Sequence, residues 1–232
     1  MEKNEKEKEA VRTAAAEERR RKKEKEEKER SLRISHIEKS TRLLGPYERF
    51  VIWVQGCCFS CAGCLAAEMN RGEGSAADLC SLAEEIVKSG AEGVTISGGE
   101  PFLQAASLRK LLLLAKAKRD IGVIIYSGFC LQELQKQPEA VALLELTDLL
   151  IDGKYVRELD DGRAFVGSSN QKLHYLTPRY RKSAQEYYAR KNRVAEIKFS
   201  PGRVALVGVP SARVLKVWEE VKRKAGGGMI EL

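Results

Sequence analysis

Three cysteines on one short run carry the most specific chemistry in this chain. Residues 56–64 read GCCFSCAGC, and Cys57, Cys61 and Cys64 stand in C-x3-C-x2-C spacing. Three thiolates on so tight a loop can converge on one metal or iron–sulfur group. A structural zinc ion would take a fourth Cys or His at matching spacing. The only histidines are His36 and His174, and Cys80 and Cys130 are isolated singles. Cys58 adjoins Cys57, and neighbouring side chains do not easily face one site together. A cubane cluster with three protein ligands leaves one iron open, and an open iron is where chemistry can occur. The bland alternatives are an orphaned zinc knuckle or plain buried thiols.

The elements around this loop follow from periodicity. Residues 49–55 (RFVIWVQ) form a β-branched and aromatic run that predicts a buried strand, ending at Gly56 where the cysteine loop begins. Ser75 and Asp78 look like a capping box for a helix whose Leu79, Leu82, Ile86 and Val87 share one face, with Gly90 as its stop. A second strand at 93–97 leads into Gly98-Gly99-Glu100-Pro101. A leucine-rich helix (105–118), a third strand (122–126), a helical stretch (131–146) broken near Pro138, and a fourth strand (148–152) follow. Strands alternating with helices of this length predict right-handed βαβ units and a parallel sheet. After Tyr155 come a polar loop, a basic helical stretch at 179–193, a hairpin (194–200 with 203–207) about Pro201-Gly202, and an amphipathic helix from Ser211.

Composition excludes some classes. No stretch approaches the roughly 18 apolar residues of a membrane helix, and the charged start has no apolar h-region, so a secretory leader is not expected. The six cysteines therefore read as reduced thiols or ligands rather than a disulfide framework. Residues 1–30 hold 12 basic and 10 acidic side chains, so most of the net charge of +8 lies on the remainder. That modest bias attracts an acidic surface without identifying a nucleic-acid binder. The expected division is a charged helical or disordered tail (1–32), a core (33–178) and an α+β extension packed on it (179–232).

The cysteine loop after strand one, with Gly98-Gly99-Glu100-Pro101 after strand two, resembles the radical S-adenosylmethionine (SAM) superfamily. The resemblance implies an α/β fold, specifically a partial, open β/α barrel. It also implies a [4Fe-4S] cluster on Cys57, Cys61 and Cys64, with SAM chelating the open iron. Gly98, Gly99 and Glu100 would hold the methionyl amino group: glycines allow close backbone approach, and acceptors suit an ammonium-like group. Finer details are similar to the activating enzymes of anaerobic (class III) ribonucleotide reductase. These are Ala62-Gly63 between the last two cysteines, Trp53-Val54-Gln55-Gly56 before the cluster, Tyr126-Ser127-Gly128 ending strand three, and the later Leu150-Ile151-Asp152-Gly153 and Gly167-Ser168-Ser169-Asn170-Gln171. Leu65 departs from the aromatic that such enzymes usually carry there.

The implied reaction is reductive cleavage of SAM to a 5′-deoxyadenosyl radical, which removes the α-hydrogen of a glycine in a glycyl-radical enzyme. A low-potential donor such as flavodoxin or ferredoxin would supply the electron, in the cytoplasm. Two other readings stand beside it. One is a radical SAM enzyme modifying a peptide or small molecule; the other is a non-catalytic zinc or iron–sulfur protein contacting nucleic acid. Ser127 and Asp152, at strand ends, are candidate cofactor contacts, or else a turn former and a loop cap. The block 167–171 could line the substrate mouth or be a self-capped turn. The basic stretch with Tyr180, Tyr187 and Tyr188 could meet nucleic acid, although a solvated face over buried tyrosines is commoner.

Overall fold

The computed structural model describes Glu17 and residues 31–64, 66–67, 73–189, 193–200, 203–224 and 230–231. The rest of the charged tail, Leu65, Arg190, Lys191 and the Pro201-Gly202 turn lie outside the described residues. In chain order the strands and helices begin with β1 (Ser31–Thr41), β2 (Arg49–Val54), β3 (Ser75–Asp78), α1 (Leu79–Lys88) and β4 (Gly93–Gly98). Next come α2 (Ala105–Lys116), β5 (Gly122–Ser127), α3 (Leu131–Leu134), α4 (Pro138–Leu144), β6 (Leu149–Asp152) and β7 (Lys172–Tyr175). The chain then adds α5 (Arg181–Tyr188), β8 (Ala195–Ser200), β9 (Arg203–Gly208), α6 (Ala212–Lys224) and β10 (Ile230–Glu231). None of the described helices is long and apolar enough to cross a membrane.

Seven strands form one sheet in the order β3-β1-β2-β4-β5-β6-β7. Its centre, β2-β4-β5-β6, is parallel, as the alternation of strands and helices predicts. The flanks are not: β1, β3 and β7 pair antiparallel, and none of the three is expected from the sequence. β1 begins at Ser31, ahead of the anticipated core boundary, and Leu32 is fully buried. Residues 75–78 are a correction. They pair with β1 instead of opening the helix, and Asp78, not Ser75, is the N-cap, its Oδ1 accepting from Ser81 N at 2.8 Å.

Because side chains alternate across a strand, β2 feeds two cores. Phe50, Ile52 and Val54 join Val94, Ile96, Val123 and Ile125 beneath α1, α2 and α4, whose Leu82, Ile86, Leu108, Leu112 and Leu143 cover that face. Each of these large side chains contributes roughly 1.5–3 kcal/mol by leaving water. Val51 and Trp53 point the other way, to Leu44 and to Val207 of β9. Beside them Ile124, Leu149 and Ile151 pack on Phe165, Val166, Tyr180 and Ala184. The helices that follow the parallel strands thus cover one face, and the chain's last third covers part of the other.

Register sets the strand ends level. Val54 pairs with Gly98, and Ser127 with Asp152. The cysteine loop, the glycine pair and both strand-end candidates therefore leave the parallel strands at their carboxyl ends, where ligand sites of α/β proteins gather. At the opposite ends Arg49, fully buried, donates from Nη1 to Glu92 Oε2 (2.5 Å), from Nη2 to Val94 O (2.6 Å) and from Nε to Thr95 Oγ1 (3.0 Å). Tyr180 also bonds Arg49 and Glu92, and Arg179 bridges Glu92 and Asp120. The tyrosines of the basic stretch are accounted for internally: Tyr187 donates to Leu43 O, and Tyr188 accepts from Arg163.

Candidate active site

One cavity, partly open to solvent, sits at the carboxyl ends of the parallel strands. Cys57, Cys61 and Cys64 line it together with Gly98, Gly99, Glu100 and Ser127. Seven of the eight site residues expected from sequence thus share one wall system. Asp152 does not. Buried just behind it, Asp152 Oδ2 accepts from Leu131 N (2.6 Å) at the start of α3 and lies 2.9 Å from His174 Nε2. The next residues, Gly153, Lys154 and Tyr155, reach the cavity in its place.

The cysteine loop is pinned to the glycine turn by backbone bonds. Gly99 N donates to Val54 O (2.9 Å) and Glu100 N to Gly56 O (2.8 Å). Gly98 lies at φ +103, and a Cβ there would sit 2.5 Å from Val54 N, so only glycine permits this approach. Within the loop Cys64 N bonds Cys61 O, and Phe59 N donates to Cys57 Sγ at 3.4 Å. The three ligand candidates are half-buried, whereas Cys58, Cys80 and Cys130 are exposed.

The donor set suits a cluster better than a single ion. Among the described residues no group of three or more Cys, His, Asp or Glu is gathered tightly enough for one ion. Cys57, Cys61 and Cys64 instead line the cavity together. Neither histidine lines it: His36 stacks on Trp53 (5.1 Å between centroids) and His174 faces Asp152. Burial pushes the thiols of Cys57 and Cys64 up from their ordinary value, and nearby acidic groups and thiols add to this. Bound metal would reverse that preference, because a coordinated thiol is deprotonated.

Glu100 is the other incomplete group. Its carboxylate, nearly inaccessible, accepts from Phe102 N (3.0 Å), Ser127 Oγ (2.9 Å) and Gly128 N (2.7 Å). Desolvation still raises its pKa against those hydrogen bonds. No cation answers it among the described residues, and it lines the cavity. A carboxylate held in one orientation and short of a positive partner suits an ammonium group. Ser127 also accepts from Phe129 N (3.0 Å), so its hydroxyl holds Glu100 and the following turn at once.

The 167–171 block proves to be a tie as well as a wall. Gln171 Oε1 accepts from Gly167 N and its Nε2 donates to Gly153 O, Asn170 donates to Lys154 O, and Ser168 Oγ accepts from Val156 N. These bonds fasten the segment after β6, while Gly167 and Gln171 line the cavity. Sequence reading missed the far wall, Leu206, Gly208, Val209 and Pro210. No spacing links these residues to cysteines some 145 positions earlier; the packing of Val207 on Trp53 brings them there.

Comparison with known proteins adds a separate line of evidence. Residues 43–174 match the model of a 4Fe-4S single cluster domain. The anaerobic ribonucleoside-triphosphate reductase-activating protein of Vibrio cholerae is 30% identical over 145 residues, 57% of this chain and 91% of that protein. The protein of the same name from Escherichia coli K12 is 29% identical over 144 residues, again 57% and 91%. The pyruvate formate-lyase-activating enzyme of Listeria monocytogenes is 30% identical over 130 residues, 51% of each chain.

Proposed function

The chain belongs to the radical SAM activating enzymes with a 4Fe-4S single cluster domain, and on that premise we propose that it installs a glycyl radical on anaerobic ribonucleotide reductase. The observation that carries the reading is the shared cavity: three half-buried thiols line it with a glycine turn and a carboxylate that no cation meets among the described residues. Cys57, Cys61 and Cys64 would hold the [4Fe-4S] cluster. Gly98, Gly99 and Glu100 would take the methionyl ammonium of SAM, with Ser127 orienting Glu100 and Asp152 fixing the turn behind it. When bound, cluster and SAM supply one chemistry, an electron passed to the sulfonium that releases methionine and a 5′-deoxyadenosyl radical able to take a glycine α-hydrogen. The protein's part is to position those groups and limit water at the reacting atoms.

The finer points belong to the same proposal. Helices on one face of the parallel strands and a site at their ends suit a partial, open barrel of the radical SAM type. Its open mouth suits a protein substrate, the division 1–32, 33–178 and 179–232 stands except that Ser31 and Leu32 go with the core, and flavodoxin or ferredoxin is the electron donor. Free thiols and a reduced cluster suit the cytoplasm.

The test is anaerobic. Protein reconstituted with iron and sulfide, then given dithionite and SAM, should yield 5′-deoxyadenosine. Adding the reductase subunit should produce a glycine-centred radical by electron paramagnetic resonance. Absence of 5′-deoxyadenosine from cluster-loaded protein overturns the reading. Its presence without a radical on the reductase transfers the substrate to another protein or peptide.

A further inference from the structure

We propose that Arg157 sets the reduction potential of the cluster by holding a positive charge against the loop that carries its ligands; this rests on the cluster assignment above. Arg157 lies in the segment after β6. Its guanidinium lies against the backbone of Gly63, between Cys61 and Cys64: a Cβ built on Gly63 would sit 2.5 Å from Nε and 2.8 Å from Cζ. Gly63 has φ +73, so the fold of the loop itself favours glycine there, and the guanidinium lies over the bare backbone that results.

The charge there is uncompensated. Among the described residues the Arg157 side chain makes no hydrogen bond or ion pair. Two nearby carboxylates are engaged elsewhere, Asp160 with Arg193 and Asp161 with Arg163, and the adjacent Glu158 makes no ion pair with Arg157. Lys154 adds a second cation from the same segment, its Nζ 4.6 Å above the ring of Phe59 in the cysteine loop. The Ser168, Asn170 and Gln171 bonds to residues 153–156 hold this segment in place. A chain that fastens two cations along its ligand loop, neither in an ion pair among the described residues, has placed charge where an anionic cluster would answer it.

The sign follows from electrostatics. A [4Fe-4S] cluster on three thiolates is anionic and becomes more so on reduction, so a nearby cation favours the reduced form. Arg157 is exposed, and water screens it, which limits the effect to several-fold.

The experiment compares holoprotein carrying Arg157→Lys, Arg157→Gln, Arg157→Met and Arg157→Glu with wild type. Iron and sulfide content are measured first. Each sample is then titrated electrochemically without SAM, at low ionic strength, and the reduced cluster is followed by electron paramagnetic resonance. At the potential where wild type is half reduced, Arg157→Gln and Arg157→Met should lower the reduced-to-oxidised ratio about three- to tenfold, tenfold being about 59 mV for one electron. Arg157→Glu should lower it further, Arg157→Lys should stay within about twofold of wild type, and added salt should compress the series. Coincident ratios across loaded variants, or Lys grouping with Gln and Met, overturn the proposal. So does loss of cluster from the neutral variants, which would make Arg157 a structural clamp. Failure of wild type itself to take up a cluster would instead remove the cofactor assignment on which the proposal rests.

Discussion

Replacing any one of Cys57, Cys61 and Cys64 with alanine is expected to reduce 5′-deoxyadenosine formation to background while leaving the fold intact. The loss should exceed the roughly 100-fold that removing a partner of a metal ligand costs, because a ligand itself is gone. Stability should change little. The three side chains are half-exposed, they stand outside the three buried apolar clusters, and their sulfurs take only backbone donors such as Phe59 N–H at Cys57 and Ala66 at Cys64 among the described residues. Unfolding of the apoproteins should therefore stay within about 1 kcal/mol of wild type. Cys80→Ala, on the exposed side of α1, is the matched control and should keep full activity. Iron content, 5′-deoxyadenosine yield and a thermal melt separate the outcomes. A cysteine variant that keeps both iron and turnover would take that residue out of the ligand set.

Glu92→Ala is expected to do the reverse, damaging the fold before the chemistry. Arg49 is fully buried, and Glu92 is its carboxylate partner; Arg179 and Tyr180 converge on the same carboxylate. Removing it leaves a buried guanidinium without a counter-charge, a change that costs about 3–5 kcal/mol. For a chain of this size that lowers the melting temperature by roughly 6–20 °C, at 2–4 °C per kcal/mol. The loss should be felt at the junction with residues after 178, because Tyr180 and Arg179 attach there. Folded Glu92→Ala protein, assayed well below its melt, should still load its cluster. A melt shifted by less than 2 °C would show that the carboxylate is dispensable. The molecule thus separates its duties by pole, with stability at the amino ends of the parallel strands and chemistry at the carboxyl ends.

Legibility from sequence followed the same physical divide. The parallel strands were readable because each is a short apolar run buried on both faces, as RFVIWV is in β2. The flanking strands were not, because their existence depends on a neighbour. Ser75–Asp78 is SAAD, poor in strand formers, and becomes β3 only where β1 offers it an edge. β1 buries Leu32 and Ile34 beneath the helices and, past a register shift, His36 against Trp53, yet it follows directly on a charged run and shares its polar texture. Lys172–Tyr175 pairs with β6 for four residues at the end of a polar loop.

In the site, the residues with special chemistry announced themselves. Gly98 is fixed by a close approach to Val54, and Glu100 by the two amides and the hydroxyl it accepts from. Asp152 shared the strand-end position that made Ser127 a candidate, but its carboxylate turns to α3 and His174. A strand end narrows the choice to a neighbourhood; which side chain reaches the cavity is decided by local hydrogen bonding.

The far wall has a consequence for how this chain is cut and compared. Leu206, Gly208, Val209 and Pro210 come from beyond residue 174, where the matched domain ends. A fragment ending there would keep every cysteine and the whole glycine turn, yet its reaction chamber would stand open on the side of Trp53. The boundary of shared ancestry and the boundary of the chamber are different lines, and the second includes a strand that the first leaves out.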